Sequence, residues 1–201
     1  MRPFRTDLKK VRTKMSEKMG RLVLYSGCSG VGKGTILKEL MKRDESIKLS
    51  VSNTTRAPRP DEVDGVDYNF VTKEEFEKVI EEDGYLEYAK YCDNYYGTPI
   101  KQVNDMLTQG YNVVLEIEVQ GGLQVMENFP NILSIFILPP SLEALAERLR
   151  GRGTEDEDTI KKRLKQAEHE MKYKDRYKHV VVNDKLEDAI NEIHNIIING
   201  K

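Results

Sequence analysis

The segment Gly27-Cys28-Ser29-Gly30-Val31-Gly32-Lys33-Gly34-Thr35 constrains this chain more than any other. It follows a short apolar run, Leu22-Val23-Leu24-Tyr25, and opens a helical pattern with Ile36, Leu37, Leu40 and Met41 on one face. Glycines let successive backbone N–H groups curl around a phosphate without Cβ clashes. The positive end of the following helix favours the same anion. Lys33 adds a point charge for the outer phosphates of a nucleotide. The Gly-x4-Gly-Lys spacing and the flanking elements together identify a phosphate loop rather than an ordinary strand-to-helix turn. In the strict pattern a hydroxyl that can ligate magnesium follows the lysine. Here Gly34 does, and Thr35 comes one residue later. The expectation is no direct protein ligand: Mg2+ is held through the nucleotide and water, with Glu116 nearby to hold one of those waters.

Beyond that loop, strand and helix patterns alternate, which argues for an α/β fold with a mainly parallel sheet. A second strand is expected at 48–51, followed by a polar loop rich in Arg and Pro over 52–67. Thr72-Lys73-Glu74-Glu75 reads as a capping box ahead of a helix carrying Phe76, Val79 and Ile80. Six of the ten tyrosines (Tyr68, Tyr85, Tyr88, Tyr91, Tyr95, Tyr96) fall between residues 67 and 97, and 85–98 has no helical period. Thr98 and Pro99 read as the cap and first residue of another helix, closed by Gly110. Buried strands are expected at 113–115, ending in Glu116, at 132–138, stopped by Pro139-Pro140, and at 180–182. Leu142, Leu145, Ala146 and Leu149 form a helix face, Thr154 caps a charged helix, and Leu186, Ile190, Ile193, Ile196 and Ile197 form the last.

Composition removes several classes of function. Lys+Arg is 32 against 34 Asp+Glu over 201 residues, which argues against a general nucleic-acid binder. The longest apolar stretch, 132–140, is far shorter than the ~20 residues of a membrane span. Two cysteines, Cys28 and Cys92, build no disulfide scaffold, and His169, His179 and His194 show no zinc spacing. A cytoplasmic location is expected. Residues 1–20 carry seven Lys/Arg against two acids. They lack the apolar core of a secretory signal and read as a mobile basic extension over 1–19.

A phosphate loop does not name the acceptor. The loop after the second strand, Ser52-Asn53-Thr54-Thr55-Arg56-Ala57-Pro58-Arg59, carries two arginines three apart. Paired guanidinium forks fit a dianionic phosphate, and Tyr68 and Tyr96 can each donate a phenolic hydrogen bond to it. A guanine base offers N1–H and N2–H2 side by side, and one carboxylate accepts from both. Glu87 and Glu118 are candidates, with Ser52 and Thr98 hydroxyls facing O6. Taken alone, either acid reads as a solvated surface group.

From Gly20 onward the chain resembles guanylate kinases. The matching segments are 26–35, 52–59, Gly65-Val66-Asp67-Tyr68-Asn69-Phe70, Asn94-Tyr95-Tyr96-Gly97-Thr98, 115–121, Pro139-Pro140-Ser141, Arg148-Leu149-Arg150-Gly151-Arg152-Gly153-Thr154 and Val182-Asn183-Asp184. The resemblance implies transfer of phosphate from ATP to GMP, and also to dGMP, in purine nucleotide metabolism. It implies a P-loop three-layer fold with a parallel central sheet, a small mixed GMP-binding region at about 52–97 and a helical lid at about 148–172. The core would then be 20–51, 98–147 and 173–201. By position, Arg56, Arg59, Tyr68 and Tyr96 look like ligands of the GMP phosphate. Ser52, Glu87, Thr98 and Glu118 look like guanine ligands. Lys33, Arg56, Arg148, Arg152 and Arg163 look like the cations of phosphoryl transfer, and Asn183 like the residue on the adenine side, beyond the ATP-binding loop 27–35. The partners implied are the two nucleotides, with Mg2+ entering with ATP; monomer and homo-oligomer both remain open.

Two departures from the family pattern stand out. Cys28 replaces the usual proline, and its place beside Lys33 and a helix N-terminus is expected to lower its thiol pKa. Glu116 and Glu118 stand where some members have Asp. The competing readings are a kinase for another mononucleotide and a binding module without turnover; intact Gly27, Gly30, Gly32 and Lys33 count against the module.

Overall fold

The computed structural model describes residues 19–91, 93–151, 153 and 156–200. The basic segment 1–18, Cys92, Arg152 and the expected Thr154 cap lie outside the described residues. In chain order the first elements are β1 (Leu22–Gly27), α1 (Lys33–Arg43), β2 (Ile47–Leu49), β3 (Asn53–Thr54), β4 (Asn69–Phe70), α2 (Lys73–Glu81), β5 (Tyr85–Tyr91), β6 (Asn94–Pro99) and α3 (Ile100–Thr108). They are followed by β7 (Asn112–Glu116), α4 (Val119–Asn128), β8 (Leu133–Leu138), α5 (Leu142–Gly151), α6 (Glu157–Met171), β9 (His179–Val182) and α7 (Leu186–Asn199).

The chain divides into two compact units. One comprises Leu22–Ile47 and the chain from Val114 on; the other comprises Lys48–Val113 with the segment ending at Arg21. A five-stranded sheet runs in the order β2-β7-β1-β8-β9. β8 is parallel to β1, pairing Leu133 with Val23 and Ile137 with Gly27, and β9 is parallel to β8. Val113 N–H donates to the Arg21 carbonyl and Ile117 N–H to that of Tyr25, so β7 runs the same way. Parallel neighbours need crossover helices, which bury both faces of the sheet. Val23, Leu24, Tyr25, Ile135, Phe136 and Ile137 accordingly lose nearly all their exposure, as do Ile36, Leu37 and Leu40 of α1 and Ile190, Ile193 and Ile197 of α7.

The 48–113 unit holds a second sheet, order β4-β3-β6-β5. β5 and β6 form an antiparallel hairpin whose turn uses Asp93 at φ 64. The tyrosine-rich stretch is this hairpin, and much of its aromatic content is a small core. α2 lays Phe76 against Tyr85 at 4.4 Å and Tyr95 at 5.2 Å between ring centroids, with Tyr88 edge-on. Gly97 makes room for them: a Cβ there would sit 2.9 Å from the Phe76 ring. Phe76 is fully buried, so Phe-to-Ala truncation there costs about 3–5 kcal/mol.

The capping box forms as expected, with Thr72 Oγ1 accepting from Glu75 N–H and the Glu75 carboxylate accepting from Thr72 N–H. Three local expectations shift. The loop 52–67 contributes Asn53 and Thr54 to a strand. α3 begins at Ile100 with Pro99 at its cap, because the Thr98 hydroxyl is spent on Glu87. Asp156 caps α6 by accepting the Thr159 N–H at 2.7 Å. No helix of the described residues is long and apolar enough to cross a membrane.

Candidate active site

In the unit that begins at Leu22, the loop between β1 and α1 takes the conformation its glycines permit. Gly30 and Gly32 sit at φ 84 and 100, a region that an L side chain rarely adopts. Neighbours fill the space a side chain would need. A Cβ on Gly30 would meet Leu149 at 2.7 Å, and one on Gly32 would meet the Asn183 amide at 2.8 Å. Lys33 folds back along the loop, donating to the carbonyls of Gly27 at 2.7 Å and Cys28 at 3.3 Å. The α1 N-terminus has Gly32 as its cap and no side-chain partner there, which leaves backbone N–H groups for an anion.

Residues far along the chain hold this loop. Asn183, buried, donates its amide to the Val31 carbonyl at 2.8 Å. Arg148 donates to the carbonyls of Asn183 (2.7 Å), Asp184 (3.3 Å) and Val31 (3.5 Å). Asn183, expected on the adenine side, and Arg148, expected as a cation of phosphoryl transfer, therefore meet at the loop, and both contact its backbone. Arg163 lies half-buried on α6. Glu170, near the end of the same helix, is buried and accepts the Ser29 N–H at 3.3 Å and the Gln166 amide at 3.0 Å.

Cys28 corrects an expectation. Its side chain is fully buried and its thiol donates to the Ala167 carbonyl. Burial pushes the thiol pKa up to about 12, reinforced by the Glu170 carboxylate; the nearby Lys33 charge pulls the other way and loses. Desolvation of a thiolate outweighs one cation here, so the thiol stays protonated at neutral pH.

Glu116 ends β7 half-buried, and burial raises its carboxyl pKa while Lys33 lowers it. No group of three or more His, Cys, Asp or Glu that could hold a metal occurs among the described residues. One carboxylate beside the loop lysine suits an Mg2+ ion that arrives on phosphates and keeps its waters. Glu118 follows as the exposed cap residue of α4.

The 48–113 unit holds the other candidates. Glu87 on β5 is only 6% exposed, and Thr98 on β6 donates its hydroxyl to the carboxylate at 2.7 Å. Burial raises the Glu87 pKa; the Thr98 hydrogen bond opposes this and loses. Two expected guanine ligands are thus brought together across the hairpin. A buried carboxylate whose bonded partner is a hydroxyl is costly to keep, and such groups concentrate at functional sites.

Arg56 lies against the Tyr68 and Phe70 rings, 5.6 and 5.9 Å from their centroids, and Tyr68 meets Tyr96 edge-on at 5.9 Å. Glu62 first, and the nearby Tyr96 phenol after it, raise the pKa of Arg56. Three of the four expected phosphate ligands therefore form one cluster. Arg59 is exposed on the same loop, and Ser52 is half-buried, its carbonyl accepting the Asn69 N–H at 2.9 Å. Sequence reasoning did not single out Glu62, which pairs with Arg56 at 2.8 Å, or Glu170. A lone acid after two arginines, or on a charged helix, carries no signal of its own.

Comparison with known proteins follows the same lines. The family model described as guanylate kinase matches residues 19–199. The guanylate kinase of Caldanaerobacter subterraneus subsp. tengcongensis is 51% identical over 185 residues, covering 92% of this chain and 90% of that protein. The guanylate kinase of Oceanobacillus iheyensis is 50% identical over 183 residues, covering 91% and 89%. Among solved structures, guanylate kinase from Anaplasma phagocytophilum matches with a TM-score of 0.72 at 34% identity, covering 91% of this chain and 87% of that one.

Proposed function

This chain belongs to the guanylate kinase family, and from that premise we propose that it transfers the γ-phosphoryl group of ATP to GMP, yielding ADP and GDP, with dGMP as a second acceptor. The observation that supports it most is the buried Glu87 carboxylate bonded to Thr98. It is a ready acceptor for the paired N1–H and N2–H2 donors of guanine. By the family resemblance, Ser52 and Glu118 would supply the remaining base contacts. No residue assigned to the acceptor reads the ribose 2′ position.

In the step itself, an oxygen of the GMP phosphate attacks the γ-phosphorus, and the bond from that phosphorus to the β,γ-bridging oxygen breaks as ADP leaves. The nucleophile is already ionised, so no general base is needed. The two substrates bring roughly five to six negative charges together, and catalysis consists of neutralising and aligning them. The backbone N–H groups of residues 29–35 and Lys33 hold the donor phosphates. Mg2+ bound to those phosphates supplies charge neutralisation, and Glu116 would hold one of its waters. Arg56, Arg59, Tyr68 and Tyr96 hold the acceptor phosphate in line. Arg148, Arg152 and Arg163 stabilise charge on the transferring group as the region 148–172 closes as a lid. Closure keeps out water, the competing acceptor. Asn183 serves the adenine side and, through Val31, the loop. The cytoplasm, where both nucleotides are available, is the place for this reaction.

ADP release measured with GMP, dGMP, AMP, CMP, UMP and dTMP tests the assignment. GMP is expected to give the highest kcat/KM, with dGMP next. Preferential turnover of AMP would remove the guanine contacts at Glu87 and Glu118.

A further inference from the structure

We propose that Glu62 is a positioning residue for the acceptor phosphate: it clamps the Nη1/Nη2 end of Arg56, leaving the Nε/Nη2 edge of that guanidinium for the phosphate. The inference rests on the reading of Arg56 as an acceptor-phosphate ligand.

The geometry is specific. Arg56 Nη1 donates to Glu62 Oε2 at 2.9 Å and Nη2 to Oε1 at 2.8 Å. Nη1 also donates to the Ala57 carbonyl at 2.7 Å, so both of its protons are committed. A guanidinium carries five N–H donors in a planar fork. Nε–H and the second Nη2–H donate to no carbonyl or carboxylate; they are parallel to one another on one edge, the arrangement that takes a phosphate in bidentate fashion. The Arg56 guanidinium also lies over the Tyr68 and Phe70 rings.

Glu62 also fixes the other arginine position. Its Oε2 accepts the Arg59 N–H at 2.8 Å, and its own N–H donates to the Arg59 carbonyl at 3.1 Å. One carboxylate therefore closes the 56–62 loop, with Pro58 and Pro60 inside it. An ordinary surface ion pair contributes little. Here the two side chains are 17% and 15% exposed, bidentate, and tied to a third donor. The Arg56 and Arg59 contacts also keep the Glu62 carboxyl below the usual carboxylate range, so the clamp stays charged at neutral pH. The opposite idea is that Glu62 merely fills the place of the phosphate and is displaced by it. The committed Nη1 protons, and a second fork that no carbonyl or carboxylate takes, argue for clamp over occupant.

Steady-state kinetics of Glu62→Gln, Arg56→Lys and the double variant decide the matter, with guanosine inhibition measured alongside. Guanosine carries the base without the phosphate. Glu62→Gln is expected to raise KM for GMP about tenfold or more, with KM for ATP and the guanosine inhibition constant unchanged within twofold. In the Arg56→Lys background it is expected to add less than twofold, since the group it positions is gone. If Arg56→Lys raises KM for GMP but Glu62→Gln leaves it unchanged or lowers it, the clamp is refuted and the role of Arg56 stands. An equal loss of guanosine binding, or full additivity in the double variant, refutes it as well. If Arg56→Lys leaves KM for GMP unaltered, the reading of Arg56 itself falls.

Discussion

The phosphate loop between β1 and α1 is built from backbone, whereas the Glu87–Thr98 pair and the Arg56 cluster of the 48–113 unit, proposed above to hold the acceptor, are built from side chains. In the loop the chemistry is contiguous: nine residues in a row, two of them glycines at φ 84 and 100, with one lysine. Asn183 and Arg148 both donate to its Val31 carbonyl. In the 48–113 unit the groups come from β5, β6 and the 52–70 loops, and each needs a partner: Glu87 has Thr98, and Arg56 has Glu62 and two aromatic rings. A backbone site recognises any triphosphate tail, since main-chain N–H groups see only charge and shape. A side-chain site can discriminate one base from another. The proposed division of labour follows from what each is made of.

The sharpest way to break this comparison is to remove the one side chain the loop depends on. Lys33→Ala is expected to lower kcat by on the order of 10²-fold or more with every acceptor alike. Steady-state assays with GMP and dGMP check it; a loss confined to one acceptor would mean that the loop also reads the base.

A milder probe is pH. Burial raises the Glu87 pKa, so its carboxylate is lost to protonation above the ordinary carboxylate range of about 4.3. kcat/KM for GMP is therefore expected to fall as pH drops through that raised value. Glu87→Gln is expected to show only the titration of the GMP phosphate. The sign for stability is the reverse: a carboxyl with a raised folded-state pKa costs stability when ionised, and the cost is relieved on acidification. Identical pH profiles for the two proteins would take Glu87 out of the pocket.

The smallest effect belongs to Cys28. With its thiol buried and its pKa about 12, it presents almost no thiolate. Cys28→Ser is expected to leave kcat within about threefold, and a Cys92→Ser variant to resist iodoacetamide at pH 8. Rapid inactivation of that variant would show that the loop opens.

Contiguity also decided what could be read in advance. The phosphate loop was legible from Gly27 to Thr35 because its spacing is local, and the capping box at Thr72 for the same reason. Helix α4 was not, because Gly121 and Gly122 lower helix propensity where the pattern should be strongest. For Gly122 the structure shows why it is there: a Cβ would sit 2.6 Å from the Tyr177 hydroxyl. Glu87 by itself reads as a surface acid, and only the pairing of β5 with β6 buries it against Thr98. Cys28 was misread because nearby charge is visible in sequence and burial under α6 is not. Arg56 was legible from its loop; Glu62, which holds it, was not, since the clamp exists only once the loop closes.

The most direct test of a base-reading side-chain pocket is the ratio of kcat/KM for GMP to that for IMP, compared between the unaltered protein and Glu87→Gln. IMP keeps N1–H and O6 but lacks the 2-amino group, so it forfeits one of the two bonds to the carboxylate. The account predicts a GMP preference of about 10²-fold or more in the unaltered protein, collapsing at least tenfold in Glu87→Gln. A preference that survives the substitution intact would contradict it.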